Sequence, residues 1–131
     1  MSGEETIQRV RQAMEAFNRG DIAAMGELAH PDFTYTVRGQ ASVSGVHRGW
    51  EAMAAVLARI MELTAGTMKA TPEVVLADDN NLLMYQKVTG SRPDGRTYDS
   101  YQAYRYRLQD GKVIEGETIP VDQQAFAEFL A

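Results

Sequence analysis

The stretch from Thr97 to Gln109 carries four tyrosines and two glutamines in an alternating pattern. As a strand it would place Tyr98, Ser100, Gln102, Tyr104, Tyr106 and Leu108 on one face, and Asp99, Tyr101, Ala103, Arg105 and Arg107 on the other. With the first face turned inward, Gln102 and Tyr104 project toward a ligand, and Tyr85 on the preceding apolar stretch is expected to join them. Tyrosine combines apolar area with a hydroxyl that wants a partner when buried, so such a wall suits a flat, oxygenated, mostly hydrophobic molecule. The same residues would equally serve core and subunit packing. His47, between Val46 and Arg48, is a possible acid–base group, although a lone histidine in that setting is more often exposed and idle.

Other chemistries are disfavoured by what is missing. The chain has no cysteine, so disulfides, thiolate zinc sites and cysteine nucleophiles drop out together. Its two histidines, His30 and His47, lie apart without HExxH spacing, and no metal site is expected. No GxGxxG, GxxxxGK[ST] or GxSxG string occurs, so neither a dinucleotide, nor a phosphate loop, nor a nucleophile elbow is indicated, and no cofactor is expected. A net charge of −5 and a pI near 5.0 offer no basic patch for phosphates, which argues against nucleic acid. No apolar run approaches the roughly 20 residues of a membrane span, and the acidic start at Glu4 and Glu5 is unlike a signal peptide. These features lead us to expect a cytoplasmic protein. Acid–base chemistry, or none, is what is left.

The elements that must hold such a site follow from periodicity. Ser2 with Glu5 reads as a capping box ahead of Ile7, Val10, Met14 and Phe17 at helical spacing, and Gly20 should end that helix. Asp21 caps a short second helix carrying Ile22, Met25 and Leu28, which Pro31 should terminate. Phe33, Tyr35 and Val37 alternate as a strand, and a Gly/Ser-rich loop holding His47 runs to Gly49. Trp50, Met53, Val56, Leu57, Ile60 and Leu63 form the stripe of a third helix. From there the period becomes two: strands are expected over 68–77, 82–90, 97–109 and 112–119, with Asp110 and Gly111 as a two-residue hairpin turn. Asp122 stands where the N-cap of a closing helix belongs. The 131 residues fit one domain, 1–131, of α+β class, with helices on one face of a mostly antiparallel sheet.

Four strings in this order carry a resemblance: FNRGD from Phe17 to Asp21, HPDFTY from His30 to Tyr35, HRGWEAM from His47 to Met53, and RLQDGKVIE from Arg107 to Glu115. Together they resemble the SnoaL-like and ketosteroid-isomerase-like branch of the nuclear-transport-factor-2-like superfamily. The resemblance implies a cystatin-like curved sheet closed into a cone by three helices in the N-terminal half, a homodimer formed through that sheet, and a pocket for a small hydrophobic ligand. Ketosteroid isomerases use a tyrosine and two carboxyl groups, where this chain has Ala13, Val37 or a neighbour, and Gln102, so steroid isomerisation by that mechanism is rejected. SnoaL-like polyketide cyclases place an acid–base aspartate near the end of the last strand, and Asp122 is the matching residue. Tyr35 and Trp50 match positions at the mouth of the cavity, where either could stack on a ring; Trp50 is equally a core anchor.

Isomerisation and cyclisation need a group that takes a proton from beside a carbonyl and returns it, and Asp122 and Glu117 are the candidates. The resemblance thus implies a cofactor-free isomerase or cyclase acting on a small hydrophobic carbonyl compound such as a polyketide or cyclic enone. The alternative is a non-catalytic ligand-binding or dimerisation module. The first requires Asp122 or Glu117 to reach an open pocket of about a few hundred Å³ with a raised carboxyl pKa. The second requires Asp122 to be bound to backbone amides, with no carboxyl in the pocket.

Overall fold

The computed structural model describes residues 2–131. Helix α1 (Gly3–Arg19) begins at Ser2, whose hydroxyl oxygen accepts from the Glu5 amide, and ends at Gly20 with φ of 77°. There only a residue without Cβ is unstrained. Helix α2 (Ile22–Gly26) is capped by Asp21. It stops sooner than expected: Pro31 lies inside strand β1 (Ala29–Val37), so the chain is already extended from Ala29, six residues before Tyr35. The Gly/Ser-rich loop also contains a short strand, β2 (Gly45–Arg48), which places His47 on a sheet edge rather than in a loop. Four residues without alternating apolar side chains leave no periodic signal to read. Helix α3 (Trp50–Leu63) follows.

Strands β3 (Lys69–Ala77), β4 (Asn81–Ser91), β5 (Thr97–Gln109) and β6 (Lys112–Pro120) form the expected antiparallel meander. At the β5–β6 hairpin Asp110 and Gly111 both have positive φ, at 54° and 74°, as a two-residue turn requires. The sheet order is β2-β1-β6-β5-β4-β3, with β1 and β6 parallel. Register irregularities near Thr34, Pro72 and Arg107 bend the sheet. Helix α4 (Gln123–Leu130) closes the chain.

Helix α1 presents Val10, Met14 and Phe17 toward the inner face of the sheet, and α3 adds Met53, Val56, Leu57 and Ile60. These side chains join the inward residues of β1, β4, β5 and β6 in one buried cluster. The opposite face of the sheet is uncovered. There Val74 lies opposite Tyr85 and Leu76 opposite Leu83, and all four are exposed. Among the described residues no helix is long and apolar enough to cross a membrane.

Candidate functional site

The helices do not fill the concave face completely. A cavity of about 120 Å³ lies between them and the sheet. It is smaller than expected because large side chains enter it from the helix side, among them Met14, Phe17, Trp50, Met53 and Phe126. A cavity of about 150 Å³ in an apolar core already accepts benzene, so the space is on the scale of a single ring.

The sheet supplies the polar part of the wall. In β5, alternation and pairing turn Gln102, Tyr104 and Tyr106 inward as expected; β6 adds Thr118, and β4 adds Gln86. Tyr35 projects from β1 and meets Thr118 Oγ1 through its hydroxyl at 2.5 Å. Its ring lies against Gly116, where an added Cβ would stand 2.4 Å from two ring carbons. Only glycine leaves room for the ring at that point. Gln102 is satisfied at both ends of its amide: Tyr104 donates its hydroxyl proton to Oε1 at 2.5 Å, and Nε2 donates to the Tyr98 oxygen at 3.2 Å. The inward polar groups of β5 therefore form a chain from Tyr104 to Tyr98.

Among the described residues, those lining the cavity include no aspartate, glutamate, histidine, lysine or arginine. Burial pushes the Tyr35 hydroxyl pKa well above its ordinary value, and the neighbouring Tyr106 adds to the shift. Burial also raises Tyr104, assisted by Tyr35, and raises Tyr106, assisted by Tyr104. A phenolate is poorly tolerated where it cannot be hydrated, so these hydroxyls stay protonated at neutral pH. The cavity can bind through neutral hydrogen bonds and apolar contact. Its own walls contain no group suited to taking a proton.

The remaining residues singled out in the sequence fall elsewhere. Asp122 accepts a hydrogen bond from the Ala125 amide at 2.9 Å as the N-cap of α4, and its side chain is exposed. Glu117 points opposite to Thr118 along β6 and pairs with Arg38 at 2.9 Å. Neither carboxyl lines the cavity. His47 pairs with Tyr35 across the β1–β2 ladder, and its Nε2–H donates to the Val43 carbonyl at 2.8 Å, away from the cavity. Trp50 does line the cavity, edge-on to Phe33 and tight against Gly26. Tyr85 does not join Gln102 and Tyr104. It pairs with Ala103, so strand alternation turns it to the outer face, where it stacks on Tyr101 at 4.8 Å. Its place in the wall is taken by Gln86, opposite Gln102. A polar residue between the inward Met84 and Val88 was the available signal for it. Among the described residues no group of three His, Cys, Asp or Glu side chains is arranged to hold a metal ion.

A bent sheet backed by helices around a ring-sized hollow agrees with the sequence comparison. The profile of the SnoaL-like domain matches residues 10–116, and the chain belongs to that family. The uncharacterised protein Rv0034 of Mycobacterium tuberculosis (strain ATCC 25618 / H37Rv) is 28% identical over 132 residues, spanning all of both chains. Among solved structures, Bal32a from a soil-derived mobile gene cassette is similar with a TM-score of 0.91 and 29% identity, covering 98% of each chain. A Xanthomonas campestris protein of unknown function with a cystatin-like fold has a TM-score of 0.87 and 25% identity, covering 96% of this chain and 98% of its own.

Proposed function

We propose that this SnoaL-like protein binds one small, neutral, mostly apolar ring compound bearing oxygen, and that binding rather than carboxylate catalysis is the task of its cavity. The observation that carries this reading is the composition of the wall: a ring-sized apolar space whose polar groups are all uncharged. A charged ligand would lose its hydration there and meet no counter-charge, whereas a neutral one gains apolar contact and several hydrogen-bonding positions. Calorimetric titration with monocyclic compounds tests it. Neutral rings are expected to bind while the matching carboxylates bind at least tenfold more weakly; equal binding of both classes, or of neither, refutes it.

One observation favours a second reading, acid–base chemistry by Asp122. Its charge adds to the upward shift of the Tyr98 hydroxyl pKa, which is due first to burial, and Tyr98 is joined through Gln102 to Tyr104 in the wall. Such an enzyme would act on a polyketide-like or cyclic enone carbonyl compound, with Glu117 as the other carboxyl at hand. Substituting Asp122 by asparagine and by alanine separates the roles, because asparagine caps a helix about as well as aspartate, whereas alanine costs about 1 kcal/mol. A cap predicts a silent Asp122→Asn and a destabilised Asp122→Ala. A catalytic group predicts that turnover of an enone or polyketide panel disappears in both.

The uncovered face of the sheet suits a second copy of the chain. Val74, Leu76, Leu83 and Tyr85 form two cross-strand apolar pairs open to solvent, and Ala103 and Ile119 extend the Tyr85 row across β5 and β6. A contiguous apolar patch of this kind marks an interface more often than a free surface.

A further inference from the structure

One atom inside the cavity has no partner. Gln86 is 1% exposed, and among the described residues nothing donates a hydrogen bond to its Oε1. Its amide orientation is decided by Met14: Nε2 donates to Met14 Sδ at 3.5 Å, and turning the amide over would set an oxygen against the thioether and lose that bond. The free end of Gln86 is therefore its acceptor.

The surroundings make this a ligand contact rather than a packing flaw. Gln102, directly opposite on β5, has both ends of its amide engaged. The two glutamines thus differ in one respect, an open carbonyl oxygen on Gln86, and Gln86 lines the cavity. Tyr104 has given its proton to Gln102 and has none left to offer Gln86. Buried polar groups are nearly always paired, and an unpaired carbonyl in an apolar space is destabilising until a donor reaches it. Among the described residues no donor of the wall is paired with that oxygen.

We infer that Gln86 Oε1 receives the hydrogen of a ligand hydroxyl or N–H group, so that the cavity selects a neutral ring compound carrying a hydrogen-bond donor, such as a phenol or cyclic alcohol, over a hydrocarbon or an ether of the same size. This rests on the binding reading above and narrows it to a ligand class. An apolar contact cannot make that selection, because a purely apolar cavity prefers the less hydrated molecule.

Phenol and fluorobenzene test it in the full chain, because the two rings are nearly equal in size and only phenol donates. Isothermal titration of the wild type should give a Kd for phenol no weaker than for fluorobenzene, despite the stronger hydration of phenol. Gln86→Met, which keeps side-chain length and removes the acceptor, should weaken phenol about tenfold and leave fluorobenzene within about twofold. Fluorobenzene binding more tightly than phenol in the wild type overturns the assignment without needing the variant, as does a variant that weakens both rings alike; the cavity would then remain a binding site of other preference. If neither ring binds at millimolar concentration, the binding reading fails together with the assignment.

Discussion

Gly116→Ala should be among the most damaging small substitutions in this protein. In an ordinary strand position replacing glycine by alanine stabilises by about 0.4–1 kcal/mol, because the unfolded chain has less freedom to lose. Gly116 is not among the residues with positive φ, so its backbone would accept alanine without strain. The obstacle is the Tyr35 ring: the new Cβ would lie 2.4 Å from its Cδ2 and Cε2, about 1 Å inside ordinary contact, and 3.2 Å from Tyr106 Cδ1. The ring cannot easily retreat, since Tyr35 is 6% exposed, its hydroxyl is tied to Thr118, and Phe33 and Tyr106 stand 5.8 Å and 6.2 Å away by ring centroid. Overpacking costs about 1–3 kcal/mol, and displacing the hydroxyl from Thr118 adds about 1 kcal/mol. Set against the gain from the stiffer unfolded chain, a net loss of about 1–3.5 kcal/mol is expected. With about 2.1 cal/mol/K of unfolding entropy per residue, this corresponds to a fall in Tm of about 4–13 °C. Thermal unfolding followed by circular dichroism measures it. The double variant Gly116→Ala with Tyr35→Leu should recover part of the steric cost, giving a coupling energy above about 1 kcal/mol. A Gly116→Ala protein within about 0.5 kcal/mol of wild type, or strictly additive variants, would refute the close approach and with it the seat of Tyr35 in the cavity wall.

Alkaline pH should act through the same tyrosines. Tyr35, Tyr104 and Tyr106 have pKa values raised in the folded state. Their stabilising effect is therefore fully present below the unfolded value of about 10 and is lost as pH rises toward the folded values. Between pH 10 and 12 the unfolding free energy should fall by up to about 4 kcal/mol per pH unit if all three remain protonated in the fold. Tyrosinate absorbance from these residues should appear together with loss of structure; ionisation completed at pH 10 in a folded protein would refute their burial. At the outer face, Leu83→Glu should turn the dimer expected in analytical ultracentrifugation into monomer while leaving Tm, extrapolated to low concentration, nearly unchanged. A wild type that sediments as a monomer at micromolar concentration removes the interface.

Local chemistry makes most elements legible in the sequence. The Ser2, Asp21 and Asp122 caps, the left-handed Gly20, the apolar stripes of α1 and α3, and the Asp110–Gly111 turn all act within a few residues of themselves, so their signals lie in short windows of sequence. Alternation likewise placed Gln102 and Tyr104 on one face of β5. It could not place Tyr85 relative to them, because the face of one strand against the next depends on register, and a shift of one residue exchanges every side chain. In the observed register Tyr85 faces outward and Gln86 inward.

What the tertiary structure alone decided is the interior. The parallel pairing of β1 with β6 joins segments some eighty residues apart, as in the pairing of Thr36 with Glu117, and it is this pairing that brings Tyr35 to Thr118 and Gly116. The size and neutrality of the cavity and the open oxygen on Gln86 depend on how helices and sheet meet. Caps, turns and periodicity are energies between neighbours along the chain. A hollow is the volume left when distant surfaces fail to fill the space between them, and no short stretch of residues encodes that difference.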